Sequence, residues 1–184
     1  MTAQKWLEQG MAVRGSWARL KSCMRRAALG ETLTIGFLGG SITQGSLASE
    51  DKLCYAYRVF SWWKETFPKT QFEYVNGGIG GTSSHYGAAR ADKDVLAFEP
   101  DVVVVDFSVN DEADSFFMET FEGVIRKLLC AKSRPAVMIM NNVFYDDGHN
   151  AEDFHNSIGA YYGVPCISMK KAVYPMITSG LYKA

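Results

Sequence analysis

The sequence has few of the residues that build disulfide frameworks and metal sites. Its 184 residues include four widely separated cysteines with no C-x-x-C pair among them: Cys23, Cys54, Cys130 and Cys166. This spacing indicates reduced thiols packed as small apolar side chains. It argues against both a disulfide framework and a cysteine-ligated metal.

Long apolar runs and an excess of charge are also missing. No stretch approaches the roughly 18 apolar residues that a membrane-spanning helix needs, and the N-terminus lacks the apolar segment of a secretory signal. The 19 basic and 20 acidic residues give a net charge of -1, so nothing indicates a nucleic acid or an acidic membrane as partner. We therefore expect a cytoplasmic protein, most simply of one domain with a substantial core.

The beginning of the chain has a helical pattern. Residues 1–30 are predicted to form an N-terminal helical arm, because Trp17, Leu20 and Met24 recur at helical spacing and Gly30 is a typical helix stop. The basic residues of this arm are most simply a solvated helix face.

Residues 31–184 are predicted to form an α/β domain, because strand and helix patterns alternate along them. The strongest strand pattern is DVVVVDFS, whose β-branched run is typical of a central parallel strand buried on both faces. We predict a mostly parallel sheet of five strands, at residues 32–39, 71–76, 101–108, 136–142 and 165–169. Helices are predicted at residues 53–67, 84–98, 115–131 and 151–162.

Polar and glycine-rich segments follow four of these strands. In chain order they are GGSITQG, NGGIGGTSS, SVNDE and NNVFYDDGHN. Ligands of open α/β sheets bind outside the carboxyl ends of the strands. We therefore expect all four segments to lie at one edge of the sheet and to form the functional site.

The first segment presents Ser41 directly after two glycines. A serine on such a turn can expose its hydroxyl at the start of a helix, where backbone N–H groups stabilise an oxyanion. That placement suits a nucleophile, although a serine that caps a helix or satisfies a loop has the same local sequence.

The second and third segments contain candidate oxyanion donors. The glycines of GGIGG, at 77–81, allow close backbone approach, so a glycine N–H can donate to an oxyanion bound at Ser41. A flexible turn is their alternative role. A dinucleotide fingerprint fits poorly, because its third glycine position is Ser83.

Asn110, after the central strand, carries a neutral N–H donor. An Asx turn is its alternative role.

Taken together, the three segments resemble the sequence blocks of the SGNH (GDSL-like) hydrolases. GGSIT is similar to the first block, with Ser41 as nucleophile; GGIGGTSS to the second, with Gly81 as oxyanion glycine; and VND to the third, with Asn110 as second donor. The resemblance covers residues 32–170. It implies a flavodoxin-like three-layer α/β/α sandwich that hydrolyses carboxylic esters without a metal or organic cofactor.

The chain departs from the family pattern in two places. Gly40 stands where the family usually has aspartate, which is not the proton acceptor, and the chain contains no Asp-x-x-His block to supply the base. We therefore expect a chain truncated before that block, with the isolated 184 residues inactive or nearly so. The missing final helix would leave an apolar flank of the sheet uncovered, which favours a homodimer.

The chain has three histidines, and two of them are candidates for an internal base. His85 begins a predicted helix beside the second segment, and His149 lies in the fourth segment near Asp146 and Asp147, which can orient an imidazole. His155 falls inside a predicted helix and is interpreted as a packing or surface residue.

The substrate class follows from what the site region lacks. No long apolar insertion between GGSIT and the next helix provides a lipid-binding lid, which favours a small acyl group such as acetyl on a carbohydrate. Trp62 and Trp63 can stack on sugars, but their helical setting favours core packing. The alternatives are a non-catalytic module that binds acyl groups or carbohydrate, and a nucleotide-binding flavodoxin-like protein.

Overall fold

A computed structural model of the chain describes residues 3–181. Its sheet has six strands in the order β1-β6-β5-β4-β2-β3. Neighbouring strands pair in parallel, except that β1 runs antiparallel to β6. The strand bounds are β1 Met11–Val13, β2 Leu33–Gly39, β3 Phe72–Gly78, β4 Val102–Asp106, β5 Ala136–Asn141 and β6 Cys166–Ser168.

Helices cover both faces of this sheet and alternate with the strands. Their bounds are α1 Ala3–Gly10, α2 Ala18–Ala28, α3 Ser41–Gln44, α4 Tyr55–Thr66, α5 Ser84–Asp94, α6 Ser115–Cys130, α7 Glu152–Tyr162, α8 Met169–Ala172 and α9 Tyr174–Thr178. Short 3-10 turns lie at Asp51–Leu53 and Leu96–Phe98. The predicted α/β fold with a mostly parallel sheet is confirmed, with one more strand than expected.

Strand β4 shows why the sheet needs helices on both sides. All five of its residues are buried, and consecutive side chains point to opposite faces. Val103 and Val105 belong to an apolar cluster with α5, α6 and α7, whereas Val102 and Val104 belong to a second cluster with α2 and α4. The uninterrupted β-branched run therefore forms part of two cores.

The N-terminal region is tied to the sheet by a strand as well as by helices. The three-residue strand β1 is the outermost strand of the sheet and pairs with β6. The prediction of a helical arm did not include this strand. Such a short strand has no periodicity to detect. Helix α2 crosses the amino ends of the strands, where the Cys23 thiol donates to the Asp101 carbonyl at 3.4 Å and Arg26 pairs with the Asp101 carboxylate.

An apolar groove remains open between α2 and α4. We call it the α2–α4 groove; its volume is about 520 Å³, and it is lined by Trp17, Leu20, Met24, Tyr55, Arg58, Val59, Trp62, Trp63 and Met138. The two tryptophans differ, because Trp63 is buried in the core as expected, whereas Trp62 is 47% exposed. The prediction of core packing is therefore wrong for Trp62.

Neither a membrane span nor a metal cluster is found in the described residues. Over residues 3–181, no helix is long and apolar enough to cross a bilayer. Over the same range, no group of three His, Cys, Asp or Glu side chains is placed to hold a metal ion.

Candidate active site

Ser41 lies at the carboxyl end of β2, where three strands end side by side. Gly39, the last residue of β2, pairs with Gly78 of β3 on one side and with Asp106 of β4 on the other. The Gly40 N–H then donates to the Asp106 carbonyl at 3.3 Å. Ser41 follows as the first residue of α3 and is half-buried. The turn thus places Ser41 at the carboxyl ends of the strands, where the sequence predicts the functional site.

The loop after β3 packs against this turn. The Ile79 N–H donates to the Gly39 carbonyl at 3.1 Å, and the Gly80 N–H donates to the Gln44 side-chain oxygen at 2.8 Å. A Cβ on Gly80 would lie 3.8 Å from the Ser41 Cβ, so the two residues are neighbours. Gly81 is exposed and has a φ of +69°, a left-handed conformation that glycine adopts without strain.

Asn110 reaches the same turn from the end of β4. Its side chain occupies the space beside Gly40, because a Cβ added to Gly40 would collide with the Asn110 Oδ1 atom. The Asn110 N–H donates to the Phe107 carbonyl at 2.9 Å, which folds this segment back toward the sheet edge. The fold therefore brings together Ser41, the loop that carries Gly81, and the Asn110 carboxamide.

A buried pair of side chains holds the third segment in place. The Asp111 carboxylate accepts the Ser84 N–H of α5 at 2.8 Å and lies 3.0 Å from Nε2 of His155. The imidazole is fully buried, stacks on Phe121 at 3.5 Å, and has Nδ1 3.0 Å from the Asn141 side-chain oxygen. Burial lowers the pKa of His155. Of the two roles expected for His155, packing or surface, the structure shows packing.

The other two histidines are exposed on the segments where the sequence places them. The His85 ring lies 5.3 Å from the Phe116 ring, and the His149 ring stacks on Phe144 at 6.5 Å. Asp147 accepts the backbone N–H of His149 at 2.8 Å rather than a ring N–H. Among the residues that the structure describes, no hydrogen bond joins Ser41 to a histidine.

Sequence reasoning missed two buried charged residues beside the Ser41 turn. Asp106 is 2% exposed, and burial raises its pKa to about 6, even though Asn142 donates to it at 2.7 Å. Arg90 is 6% exposed and donates to the Gly39 carbonyl at 2.8 Å. In the sequence, each is visible only as a charged residue within an otherwise apolar strand or helix face. That pattern does not identify the residue with which the charge interacts.

Comparison with known protein families gives one match. The model of the GDSL-like lipase/acylhydrolase family matches residues 37–175, a span that includes the Ser41 turn, the Gly81 loop and Asn110. No curated protein matches the chain.

Solved structures with the same fold include several esterases. A two-domain esterase (CEX) active on acetylated mannans, co-crystallised with mannopentaose, is 51% identical over 96% of this chain, with a TM-score of 0.94. The chain spans 48% of the length of that esterase. A catalytic mutant of the acetylxylan esterase Axe2 from Geobacillus stearothermophilus is 16% identical, with 82% and 81% of the two chains covered and a TM-score of 0.65. The acetyl xylan esterase AlAXEase is 20% identical, with 81% and 83% covered and a TM-score of 0.61.

Proposed function

Because the chain belongs to the GDSL-like lipase/acylhydrolase family, we propose that it is a serine esterase domain for small acyl groups, such as acetyl on a carbohydrate. One observation carries the proposal: Ser41, the Gly81 loop and the Asn110 carboxamide meet at the carboxyl ends of three adjacent strands. The activity of the CEX esterase on acetylated mannans, at 51% identity, supports the choice of substrate class.

In the proposed reaction, a base takes the Ser41 proton as Oγ attacks the acyl carbonyl. The ester C–O bond then breaks, and the alcohol leaves with that proton while the acyl group stays on Ser41. Water attacks this acyl-enzyme, which releases the carboxylic acid and restores the Ser41 hydroxyl. The oxyanion of each tetrahedral intermediate is held by the N–H groups of Ser41 and Gly81 and by the Asn110 side-chain N–H. The Gly80 N–H already donates to Gln44, so the Gly81 N–H is the better donor for the oxyanion. No metal or organic cofactor takes part.

The proton of Ser41 needs a base, and this requirement keeps a second function open. His85 and His149 are exposed on segments at the strand ends, and neither is hydrogen-bonded to Ser41 in the described residues. A module that binds acylated carbohydrate without hydrolysing it would use the same sheet edge and would not need a base. The two functions therefore differ in one requirement: the esterase needs a base in contact with Ser41, and the binding module does not.

The test is ester hydrolysis with p-nitrophenyl acetate and with acetylated mannan oligosaccharides. It uses the 184-residue chain and, where the gene encodes a longer protein, that protein as well. Ser41→Ala should lower kcat at least about 1000-fold, because the nucleophile is lost. Ser49→Ala is the matched control, since Ser49 is an exposed serine of the loop that follows α3. It should leave kcat within about twofold.

Each outcome has a defined meaning. Hydrolysis that survives Ser41→Ala contradicts the proposed nucleophile. Absence of hydrolysis in every form, together with saturable binding of the oligosaccharide, supports the binding module instead. If the 184-residue chain itself is active, His85→Ala and His149→Ala identify its base.

A further inference from the structure

Arg90 lies on α5 and contacts the loop that joins β3 to α5. Its side chain is 6% exposed, and its guanidinium contacts three different parts of the site. Nη2 donates to the Gly39 carbonyl at 2.8 Å and to the Thr82 hydroxyl oxygen at 3.3 Å, and Nη1 donates to the Gly77 carbonyl. One planar group therefore bridges the end of β2, the end of β3 and the loop that follows β3.

These bonds belong to a closed ring of hydrogen bonds that includes both ends of the loop that carries Gly81. The Thr82 hydroxyl donates to the Ile79 carbonyl at 2.7 Å, and the Ile79 N–H donates to the Gly39 carbonyl at 3.1 Å. Since Arg90 donates to both Gly39 and Thr82, the ring runs from Arg90 through Thr82, Ile79 and Gly39 back to Arg90. The segment from Ile79 to Thr82 is thereby anchored at both of its ends.

The guanidinium of Arg90 has one carboxylate partner among the described residues. Asp94, one turn later on α5, pairs with Nη1 at 2.9 Å, and the other bonds of the guanidinium go to carbonyl and hydroxyl oxygens. A buried ion pair contributes little net stability, because desolvation offsets the attraction between its charges. The rigid fork of an arginine, by contrast, imposes a fixed geometry on the oxygens that it contacts.

We propose that Arg90 is a positioning residue of the esterase site, which sets the spacing between the Ser41 turn and the Gly81 loop. Gly39 lies two residues before Ser41, and Thr82 directly follows Gly81. A change of either bond would move an oxyanion donor relative to the nucleophile. The catalytic part of this inference rests on the proposed function, whereas its structural part does not.

The first test follows the backbone amides of Ser41, Gly80 and Gly81 by proton–nitrogen correlation spectra of the 184-residue chain. Arg90→Lys keeps the charge but loses the fork, so these amide signals should shift and broaden. The control is Arg26→Lys, which alters an arginine that pairs with Glu31 and Asp101 at the amino ends of the strands and is more exposed than Arg90. It should leave the three amides unchanged. Equal, small effects of both substitutions would overturn the proposal.

A second pair of variants serves if Arg90→Lys fails to fold. Thr82→Val removes the hydroxyl that links Arg90 to Ile79 while it keeps the side-chain shape, and Thr82→Ser restores a hydroxyl. The valine variant should perturb the Gly80 and Gly81 amides, and the serine variant should recover the wild-type signals. A valine variant with wild-type amide signals contradicts the role of the ring.

The catalytic readout uses the form of the protein that hydrolyses p-nitrophenyl acetate. Both Arg90→Lys and Thr82→Val should lower kcat about 10- to 100-fold with KM nearly unchanged, because a displaced donor weakens transition-state binding more than substrate binding. A rise of KM alone, or a loss of thermal stability without a change of kcat, would overturn the catalytic part. If no form hydrolyses esters, the proposed function has failed, and the amide spectra still decide whether Arg90 positions the loop.

Discussion

Asp106 shows how burial changes the chemistry of one side chain at the end of a strand. Burial raises its pKa from 3.8 to about 6, and the hydrogen bonds from Asn142 and Ser108 only partly oppose this shift. In the unfolded chain, the carboxyl ionises near its ordinary pKa. Between about pH 4 and 6, the folded state therefore binds more protons than the unfolded state does, and stability falls as the pH rises.

This linkage predicts the behaviour of Asp106→Asn. The neutral amide cannot ionise, so the part of the free energy of unfolding that wild type loses between pH 4 and 6 should be retained. That part is on the order of 3 kcal/mol, since one pKa unit corresponds to about 1.4 kcal/mol. Urea unfolding at a series of pH values measures the difference between the variant and wild type.

The prediction concerns the difference in stability between Asp106→Asn and wild type, because His155 makes the stability of both proteins depend on pH with the opposite sign to Asp106. Burial lowers the pKa of its imidazole, so acidification through the ordinary histidine range destabilises the folded state. The exposed Asp153→Asn variant is the control and should keep the wild-type pH profile. A constant offset between Asp106→Asn and wild type at every pH would contradict the prediction.

Helix α6 illustrates an element whose limits follow from local sequence. It is predicted at residues 115–131 and lies at Ser115–Cys130. Asp114 precedes it in an extended conformation, and its carboxylate accepts the Phe117 N–H at 2.9 Å. Aspartate at this position satisfies an N–H that the helix itself leaves unpaired, and its charge suits the positive end of the helix dipole.

Asp114→Ala should therefore lower the free energy of unfolding by about 1 kcal/mol, because the cap is lost. Asp114→Asn keeps an oxygen that can accept the same hydrogen bond and should lose no more than about half of that. Urea denaturation at neutral pH measures both variants. Equal stability of the alanine variant and wild type would show that the cap contributes nothing.

An open apolar groove is a feature of the whole molecule, because helices from two separate parts of the chain form it. The α2–α4 groove exposes Trp62 over a lining that is almost entirely apolar, and large exposed apolar patches typically mark interaction sites. From this surface we expect the 184-residue chain to associate with a second copy of itself.

Trp62→Glu should shift this association toward the monomer, because it places a charge in the α2–α4 groove. Leu47→Glu is the control, since Leu47 is fully exposed but does not line the groove. Sedimentation velocity over a concentration series measures both variants. A wild-type chain that sediments as a monomer at every concentration contradicts the expectation.

The sequence alone determined the features that depend on neighbouring residues. The β-branched run of β4, the alternation of strands and helices, and the glycines before Ser41 are local patterns, so the fold class and the edge of the sheet followed from them. Tertiary structure decided which distant residues meet. Asp111 and His155 are 44 positions apart, and Arg90 and Gly39 are 51 apart. The strand β1 likewise exists only because β6 lies beside it. Such contacts form only when the strands assemble into the sheet, so no periodicity in the local sequence predicts them.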